Sequence, residues 1–301
     1  MTGEPGARAR SGSADAAAER TVEVAVVGGG LSGLAAARAL KQARRSVVVL
    51  EASDRTGGRV QNADVGGAVC ELGGEWVSPA QSHVQTLLAE LDIATFDTYS
   101  TGKSTLVYDG KVTRFDEPPP PLPMPDLIEL TAAIAQLDLM AADVPLASPW
   151  TAPQAAAWDA QTVTSWLDAN ILTAGARATL DVLTSGAICA APRDLSLLHY
   201  LFIVASSSGA EKLGSIKGGA LEQRIAGGSG VIVERLTEAL GDEVVLNAPV
   251  RLIDQTGPKV RLTTERGVVT ADQVIVAVPP TMAGRIAYDP PLPAARDQLT
   301  Q

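Results

Sequence analysis

The chain has 301 residues, 46% of them hydrophobic, and a net charge of −10 at pH 7 with an isoelectric point near 4.8. This acidity would repel phosphate backbones and anionic lipid headgroups, so it argues against nucleic acid or a membrane surface as partner and favours small or cationic molecules. The longest apolar stretch, Val22–Leu40, is interrupted by glycines and charges and does not qualify as a membrane span. We expect a soluble, cytoplasmic protein.

Residues 1–20 combine Gly, Ala, Ser and charge without an apolar run, which predicts a disordered tail and excludes a secretory signal. The two cysteines, Cys70 and Cys189, lack C-x-x-C spacing and are expected to be free, buried thiols in a reducing compartment. The two histidines, His83 and His199, lack the spacing of a metal site and are interpreted as structural. No metal is predicted.

A βαβ unit is predicted directly after the tail. The β-branched run Val22–Val27 is typical of a buried parallel strand, the segment LSGLAAARALKQA of a helix, and Ser46–Leu50 of a second buried strand. From Leu127 to Val204, apolar residues recur at three- and four-residue spacing, which indicates helices. Beyond Gly227 a helix, VIVERLTEAL, and several strands follow, so the βα pattern returns.

The glycines Gly28-x-Gly30-x-x-Gly33 stand where the first strand turns into the helix. In such a motif the first glycine permits the tight turn, the second allows close approach of a pyrophosphate, and the third allows the helix to pack on the strand. The amides at the start of the helix, at Leu31 and Ser32, face the phosphate charge.

Glu51 ends the second strand, where it can accept hydrogen bonds from both hydroxyls of an adenosine ribose. The glycine motif and Glu51 together predict a dinucleotide site. An acidic side chain at this position disfavours a 2′-phosphate, so NADP is not expected.

The identity of the dinucleotide is indicated by the run EASDRTGGR, Glu51 to Arg59. Two glycines bring the backbone around, and Arg59 can then place its forked guanidinium on the pyrophosphate. An exposed surface arginine is the alternative. This run closely resembles the flavin-containing amine oxidases, the family of monoamine, putrescine and polyamine oxidases, and so implies FAD.

Three later segments extend the resemblance. Leu72-Gly73-Gly74-Glu75-Trp76 resembles the family's segment beside the isoalloxazine ring, although Trp76 taken alone would be a core tryptophan. GGSGVIVERL resembles the return from the substrate domain to the flavin domain. Ala248-Pro249-Val250 resembles the strand whose valine backbone meets the adenine. The implied cofactor-binding residues are Gly28, Gly30, Leu31, Ser32, Gly33, Glu51, Ala52, Gly58, Arg59, Gly73, Gly74, Glu75, Trp76 and Val250.

The resemblance also implies a substrate side. Leu221 and Glu222 correspond to a stretch that lines the substrate cavity in relatives, where Glu222 could attract an ammonium group; an ordinary solvated glutamate is the alternative. Ser53 stands where monoamine oxidases often carry an arginine over the adenine, so that contact is expected to be missing. Family members continue past the PPLP motif into a lysine-bearing strand and an aromatic pair, and the resemblance therefore names no catalytic residue within these 301 residues.

The predicted fold class is α/β: a Rossmann-like FAD-binding domain of the GxGxxG type with an inserted, largely helical substrate domain. The predicted bounds are a tail at 1–20, a first FAD-binding segment at 21–95, the substrate domain at 96–224, a second FAD-binding segment at 225–290, and the start of a missing C-terminal part at 291–301.

The implied activity is the oxidation of a primary amine to an imine and then an aldehyde, with dioxygen accepting the electrons and yielding hydrogen peroxide. A homodimer is a possible assembly. Two alternatives stay open: a truncated, non-catalytic flavin-binding or interaction protein, and an L-amino-acid oxidase or desaturase-like FAD oxidoreductase.

Overall fold

The computed structural model describes residues 19–116 and 119–300, so the predicted tail lies almost entirely outside the described residues. The chain divides into two compact units. The first unit runs to Glu75 and resumes at Gly227, and the second runs from Trp76 to Ala226. The domain bounds given above stay predictions. Within the described ranges, no helix is long and apolar enough to cross a membrane.

The elements follow in chain order. The strands are β1 (Arg20–Val27), β2 (Val47–Leu50), β3 (Asn62–Val65), β4 (Ala68–Glu71), β5 (Trp76–Val77), β6 (Thr95–Asp97), β7 (Ser104–Tyr108), β8 (Lys111–Phe115), β9 (Gln223–Ile225), β10 (Val244–Val245), β11 (Val250–Asp254), β12 (Val260–Thr264), β13 (Gly267–Val276) and β14 (Ala287–Asp289). The α-helices are α1 (Leu31–Gln42), α2 (Ser82–Glu90), α3 (Met124–Ala142), α4 (Ala155–Asp159), α5 (Val163–Asn170), α6 (Ala174–Ile188), α7 (Leu197–Ser206), α8 (Ala210–Gly214), α9 (Gly230–Leu240), α10 (Pro280–Ala283) and α11 (Ala294–Gln298).

The first unit is built on a seven-stranded sheet with the order β10-β2-β1-β13-β12-β11-β14. The four strands β10, β2, β1 and β13 run parallel, β12 is antiparallel to both of its neighbours, and β14 is parallel to β11. Every residue of β2 is buried, as expected of a parallel strand covered on both faces. The predicted strand, helix and strand at β1, α1 and β2 are confirmed.

Helix α9, which comes from the second segment of this unit, packs beside α1. Lys41 in the last turn of α1 donates hydrogen bonds to the carbonyls of Ala239 and Leu240 at 3.0 and 3.1 Å and forms an ion pair with Glu243 at 3.0 Å. A cation satisfying the terminal carbonyls of a helix is favourable because of the helix dipole. The two segments of the first unit are therefore joined at this helix pair as well as in the sheet.

The second unit is mainly helical, and the predicted helices between Leu127 and Val204 are confirmed. Its core is formed by α3 to α7, and its largest fully buried side chains include Leu137, Leu167, Leu197 and Leu201. The unit also contains a three-stranded antiparallel sheet, β5-β9-β6, and a hairpin, β7-β8. Strands of two or three residues are too short for an alternating pattern to reveal, which is why β5, β6 and β9 were not predicted.

The prediction of two buried thiols is wrong. Cys70 is half-buried, and Cys189 is exposed at the end of α6 with a left-handed φ of 54°. Both are free. His83 and His199 are exposed, and the His199 ring stacks on Phe202 with centroids 6.2 Å apart. Among the described residues, no three His, Cys, Asp or Glu side chains are grouped so that they could hold a metal ion.

Two carboxylates of α3 cap the start of α6. Asp126, only 8% exposed, accepts a hydrogen bond from the Gly175 amide at 2.6 Å. Glu129 accepts from the amides of Leu172 and Thr173 and from the Thr173 hydroxyl, and these hydrogen bonds, that of the hydroxyl first, hold the pKa of Glu129 below its usual range.

We expect Asp126→Ala to destabilise the protein by about 1–3 kcal/mol, because it leaves the buried Gly175 amide without an acceptor. Asp126→Asn keeps an acceptor oxygen and should retain most of the stability. Urea unfolding followed by circular dichroism measures both variants. The control is Asp116→Ala, which removes an exposed ion pair with Lys103 and should change stability by less than about 1 kcal/mol. Equal unfolding midpoints for Asp126→Ala and Asp116→Ala would contradict this account.

Candidate functional site

The turn between β1 and α1 leaves no room for side chains at two of its glycines. Gly28 has a φ of +106°, and a Cβ there would lie 2.7 Å from Val278 Cγ1 and 2.9 Å from the Ala277 carbonyl oxygen. A Cβ on Gly33 would overlap the carbonyl oxygen of Gly28. Glycine at these positions is therefore required by the fold itself, since it allows the tight turn and the close packing of α1.

Gly30 differs from these two glycines, because the fold leaves room for a side chain at its position. Its backbone is extended (φ −75°, ψ 176°), and a Cβ there would meet no atom of the described residues within 4 Å. Gly30 is the N-cap of α1, and no side chain caps this helix end. The first turn begins with Leu31 and the exposed Ser32 and contains no acidic residue. An open space in front of a helix N-terminus suits an anion, because free amides and the helix dipole both point at it.

Glu51 stands beside this turn at the end of β2. One carboxylate oxygen accepts from the Gly29 amide at 2.6 Å, and the other accepts from the Ser53 amide at 2.9 Å and lies 2.7 Å from the Ser53 hydroxyl. The carboxylate is thus fixed in place, and the oxygen that accepts from Gly29 keeps a further lone pair for a ligand hydroxyl. Ser53 therefore orients Glu51.

The run after Glu51 folds back against the glycine turn. The Gly57 amide donates to the Gly29 carbonyl at 2.8 Å, and Gly58, with φ +57°, places the loop close to Gly30. The Arg55 guanidinium donates to the carbonyls of Thr56 and Gly58 at 3.1 and 2.9 Å and so braces this loop. Arg55 was not predicted as a site residue, because nothing in its spacing distinguishes it from Arg59.

The Arg59 side chain does not brace the loop in this way. It is exposed, and it makes no hydrogen bond or ion pair with any other residue in the described part of the chain. An exposed arginine without a partner among the described residues, next in the chain to Gly58 and so near the open start of α1, is available for a phosphate group, which a guanidinium binds in a forked geometry.

The glycines Gly73 and Gly74 lie directly against the backbone of Arg59. The Gly74 amide donates to the Arg59 carbonyl at 3.1 Å, and a Cβ on Gly73 would overlap that same carbonyl oxygen. Both glycines are exposed and Glu75 is half-buried.

The chain before β11 runs beside Glu51. The Ala248 amide donates to the Glu51 carbonyl and the Asn247 amide to the Ser53 carbonyl, both at 2.8 Å. Val250 is buried at the start of β11, where the pairing with β12 shifts register before Leu252. The first unit therefore brings together the predicted residues from Gly28 to Glu75 and the segment that ends at Val250.

Three predicted residues lie in the second unit. Trp76 begins β5, pairs with Arg224 of β9 and is 42% exposed, so its interpretation as a core tryptophan is wrong. Leu221 and Glu222 precede β9 and are half-buried, and the Glu222 carbonyl accepts from the Thr98 amide at 2.8 Å. Their roles toward a substrate stay predictions.

A parallel strand, a glycine turn with an open helix N-terminus, and a carboxylate at the end of the next strand define a dinucleotide-binding protein. Residues 31–301 match the family model described as flavin containing amine oxidoreductase. The chain belongs to this family.

Individual relatives agree with this assignment. The chain is 36% identical over 279 residues to a putative flavin-containing monoamine oxidase, AofH, of Mycobacterium tuberculosis, covering 93% of this chain and 62% of that protein. It is 36% identical to flavin-containing amine oxidase B of Sus scrofa, covering 92% of this chain and 54% of that protein. A solved putrescine oxidase bound to putrescine matches with a TM-score of 0.89 and 36% identity over 94% of this chain and 64% of the other.

The family recognition and the α/β fold class with a Rossmann-like domain are confirmed by these matches. FAD is the cofactor that the family implies, and the open helix N-terminus, Glu51 and Arg59 fit a dinucleotide of this kind. The chain spans between 54% and 64% of the length of the relatives just named.

Proposed function

We propose that this chain binds FAD and serves the oxidation of a primary amine to an imine and then an aldehyde, with dioxygen as the electron acceptor and hydrogen peroxide as product. Above all, the proposal is supported by the open space at Gly30, which follows the turn held by the Glu51 carboxylate and lies close to Gly58, the residue before Arg59, in a member of this family. When bound, the flavin would accept a hydride equivalent from the carbon next to the amine nitrogen.

Each part of the cofactor has proposed partners in the first unit. The amides at the start of α1 and the Arg59 guanidinium would hold the pyrophosphate, Glu51 would accept from the ribose hydroxyls, and the Val250 backbone would meet the adenine. Gly33, Ala52 and Gly58 complete the turn and loop around the phosphates. The segment from Gly73 to Trp76 would lie beside the isoalloxazine ring.

The substrate is proposed to be a small amine. Leu221 supplies apolar surface to the cavity, and the carboxylate of Glu222 attracts the ammonium group before its deprotonation. No residue of this chain is assigned a catalytic role. The cytoplasm as location and a homodimer as assembly belong to the same proposal.

The test is the visible absorption spectrum of the purified chain before and after anaerobic addition of primary amines, diamines and L-amino acids. We expect flavin bands that bleach with a primary amine and return with air. Free FAD mixed with the same amines is the control and should not bleach. Bands that persist with every amine would favour the flavin-binding protein without turnover, and bleaching by L-amino acids alone would favour an amino-acid oxidase. A chain that binds no flavin would contradict the proposal.

A further inference from the structure

The turn from Gly227 to Gly230, where the chain re-enters the first unit, is held by a cross-strand pair of polar residues. Asn62 and Glu71 lie opposite each other on β3 and β4. The Asn62 side chain donates to the Gly227 carbonyl at 2.9 Å and accepts from the Gly230 amide at 3.0 Å. The residue between these two contacts that carries a side chain is Ser229.

The backbone of this turn fits closely around Asn62. A Cβ on Gly228 would lie 2.7 Å from Asn62 Oδ1, and a Cβ on Gly230 would lie 2.6 Å from Asn62 Cγ. The Ser229 amide donates in turn to a Glu71 carboxylate oxygen at 2.8 Å. Ser229 has a fixed position, because its own amide, the Gly227 carbonyl before it and the Gly230 amide after it are all hydrogen-bonded. It is only 5% exposed.

From this fixed position the Ser229 hydroxyl donates to the carbonyl of Gly74 at 2.6 Å. Gly74 and Gly73 carry no side chains and are exposed, so their position depends on backbone contacts and hydrogen bonds. The Gly74 amide reaches on to the Arg59 carbonyl at 3.1 Å. One continuous line of hydrogen bonds thus runs from Glu71 through Ser229 and Gly74 to the backbone of Arg59.

We infer that Ser229 is a positioning residue of the flavin site. Its hydroxyl sets the place of the Gly73–Gly74 segment and, through it, of the Arg59 backbone, so that both present the geometry that the cofactor requires. This role rests on the proposed function. It differs from a purely structural role, because its loss should change the surroundings of the bound flavin and not only the stability of the fold.

Ser229→Ala tests the inference through three measurements: the thermal midpoint of the apoprotein, the dissociation constant of FAD from flavin fluorescence, and the visible circular dichroism of the bound flavin. We expect an FAD dissociation constant raised about tenfold, equivalent to about 1.4 kcal/mol, because the loosened Gly73–Gly74 segment must be ordered again on binding, together with an altered visible dichroism. Ser229→Thr keeps the hydroxyl and should stay within about threefold of the parent, a difference of well under 1 kcal/mol.

The matched control is Thr184→Val. Thr184 is 1% exposed in the second unit and its side chain is hydrogen-bonded to Tyr200, so this variant also loses a buried hydroxyl bond. It should lower the thermal midpoint but leave FAD affinity and dichroism unchanged. If Ser229→Ala matches the control in all three measurements while the parent chain binds FAD, the inference is overturned and the proposed function stands. If the parent chain binds no FAD, the proposed function itself is overturned.

Discussion

Gly30→Ala is expected to remove most FAD binding while leaving the apoprotein as stable as the parent chain. The backbone of Gly30 is in an extended conformation that alanine adopts freely, and the added Cβ would touch no atom within 4 Å in the part of the chain that the structure describes. The methyl group would instead fill the space in front of α1 that a pyrophosphate must enter to reach the helix amides. We expect the FAD dissociation constant to rise by about a hundredfold or more, equivalent to about 2.7 kcal/mol.

Two other glycine variants separate this effect from a general loss of structure. Gly33→Ala should lower both the thermal midpoint and FAD binding, because its Cβ overlaps the Gly28 carbonyl oxygen. Gly186→Ala, within α6 and in open space, should raise stability by about 0.5–1 kcal/mol and leave FAD binding unchanged. Thermal melts of the apoproteins and fluorescence titrations with FAD measure all three variants. If Gly30→Ala binds FAD as tightly as the parent, the pyrophosphate does not bind in front of α1.

The parts of this site that could be predicted from the sequence are local in the chain. The strand, glycine turn and helix from Arg20 to Gln42 follow from a β-branched run, glycine spacing and helical periodicity within about thirty residues. Glu51 was found for the same reason, because the end of the next buried strand is visible in the sequence and its distance from the glycines is characteristic.

The parts that could not be predicted depend on contacts between distant residues. Ser229 and Gly74 are 155 positions apart, and Asn62 and Gly230 are 168 apart. No periodicity links such residues, and a serine between glycines in a turn looks the same whether its hydroxyl faces water or a carbonyl. The burial predicted for Cys189 was wrong for a similar reason. The apolar character of cysteine favours burial, but the left-handed backbone at the end of α6 turns this side chain outward.

Arg59→Ala is expected to weaken FAD binding by about ten- to a hundredfold, since a charge-assisted hydrogen bond contributes about 1.5–3 kcal/mol. Its apoprotein should keep the thermal midpoint of the parent, because the exposed guanidinium has no partner among the described residues. Arg55→Ala provides the contrast. It frees the carbonyls of Thr56 and Gly58, so we expect a lower thermal midpoint of the apoprotein as well as weaker FAD binding.

Arg59→Lys distinguishes the charge from the forked geometry. Lysine keeps the positive charge but binds phosphate as a point charge with a strongly hydrated ammonium group, so it should recover only part of the affinity lost in Arg59→Ala. Because lysine keeps the charge, FAD binding by Arg59→Lys should depend on added salt about as strongly as binding by the parent, whereas binding by Arg59→Ala should depend on salt less. Titrations with FAD at low and high salt measure this difference. Parent-like affinity for Arg59→Ala at both salt concentrations would mean that Arg59 is an ordinary surface arginine and that the helix amides alone hold the pyrophosphate.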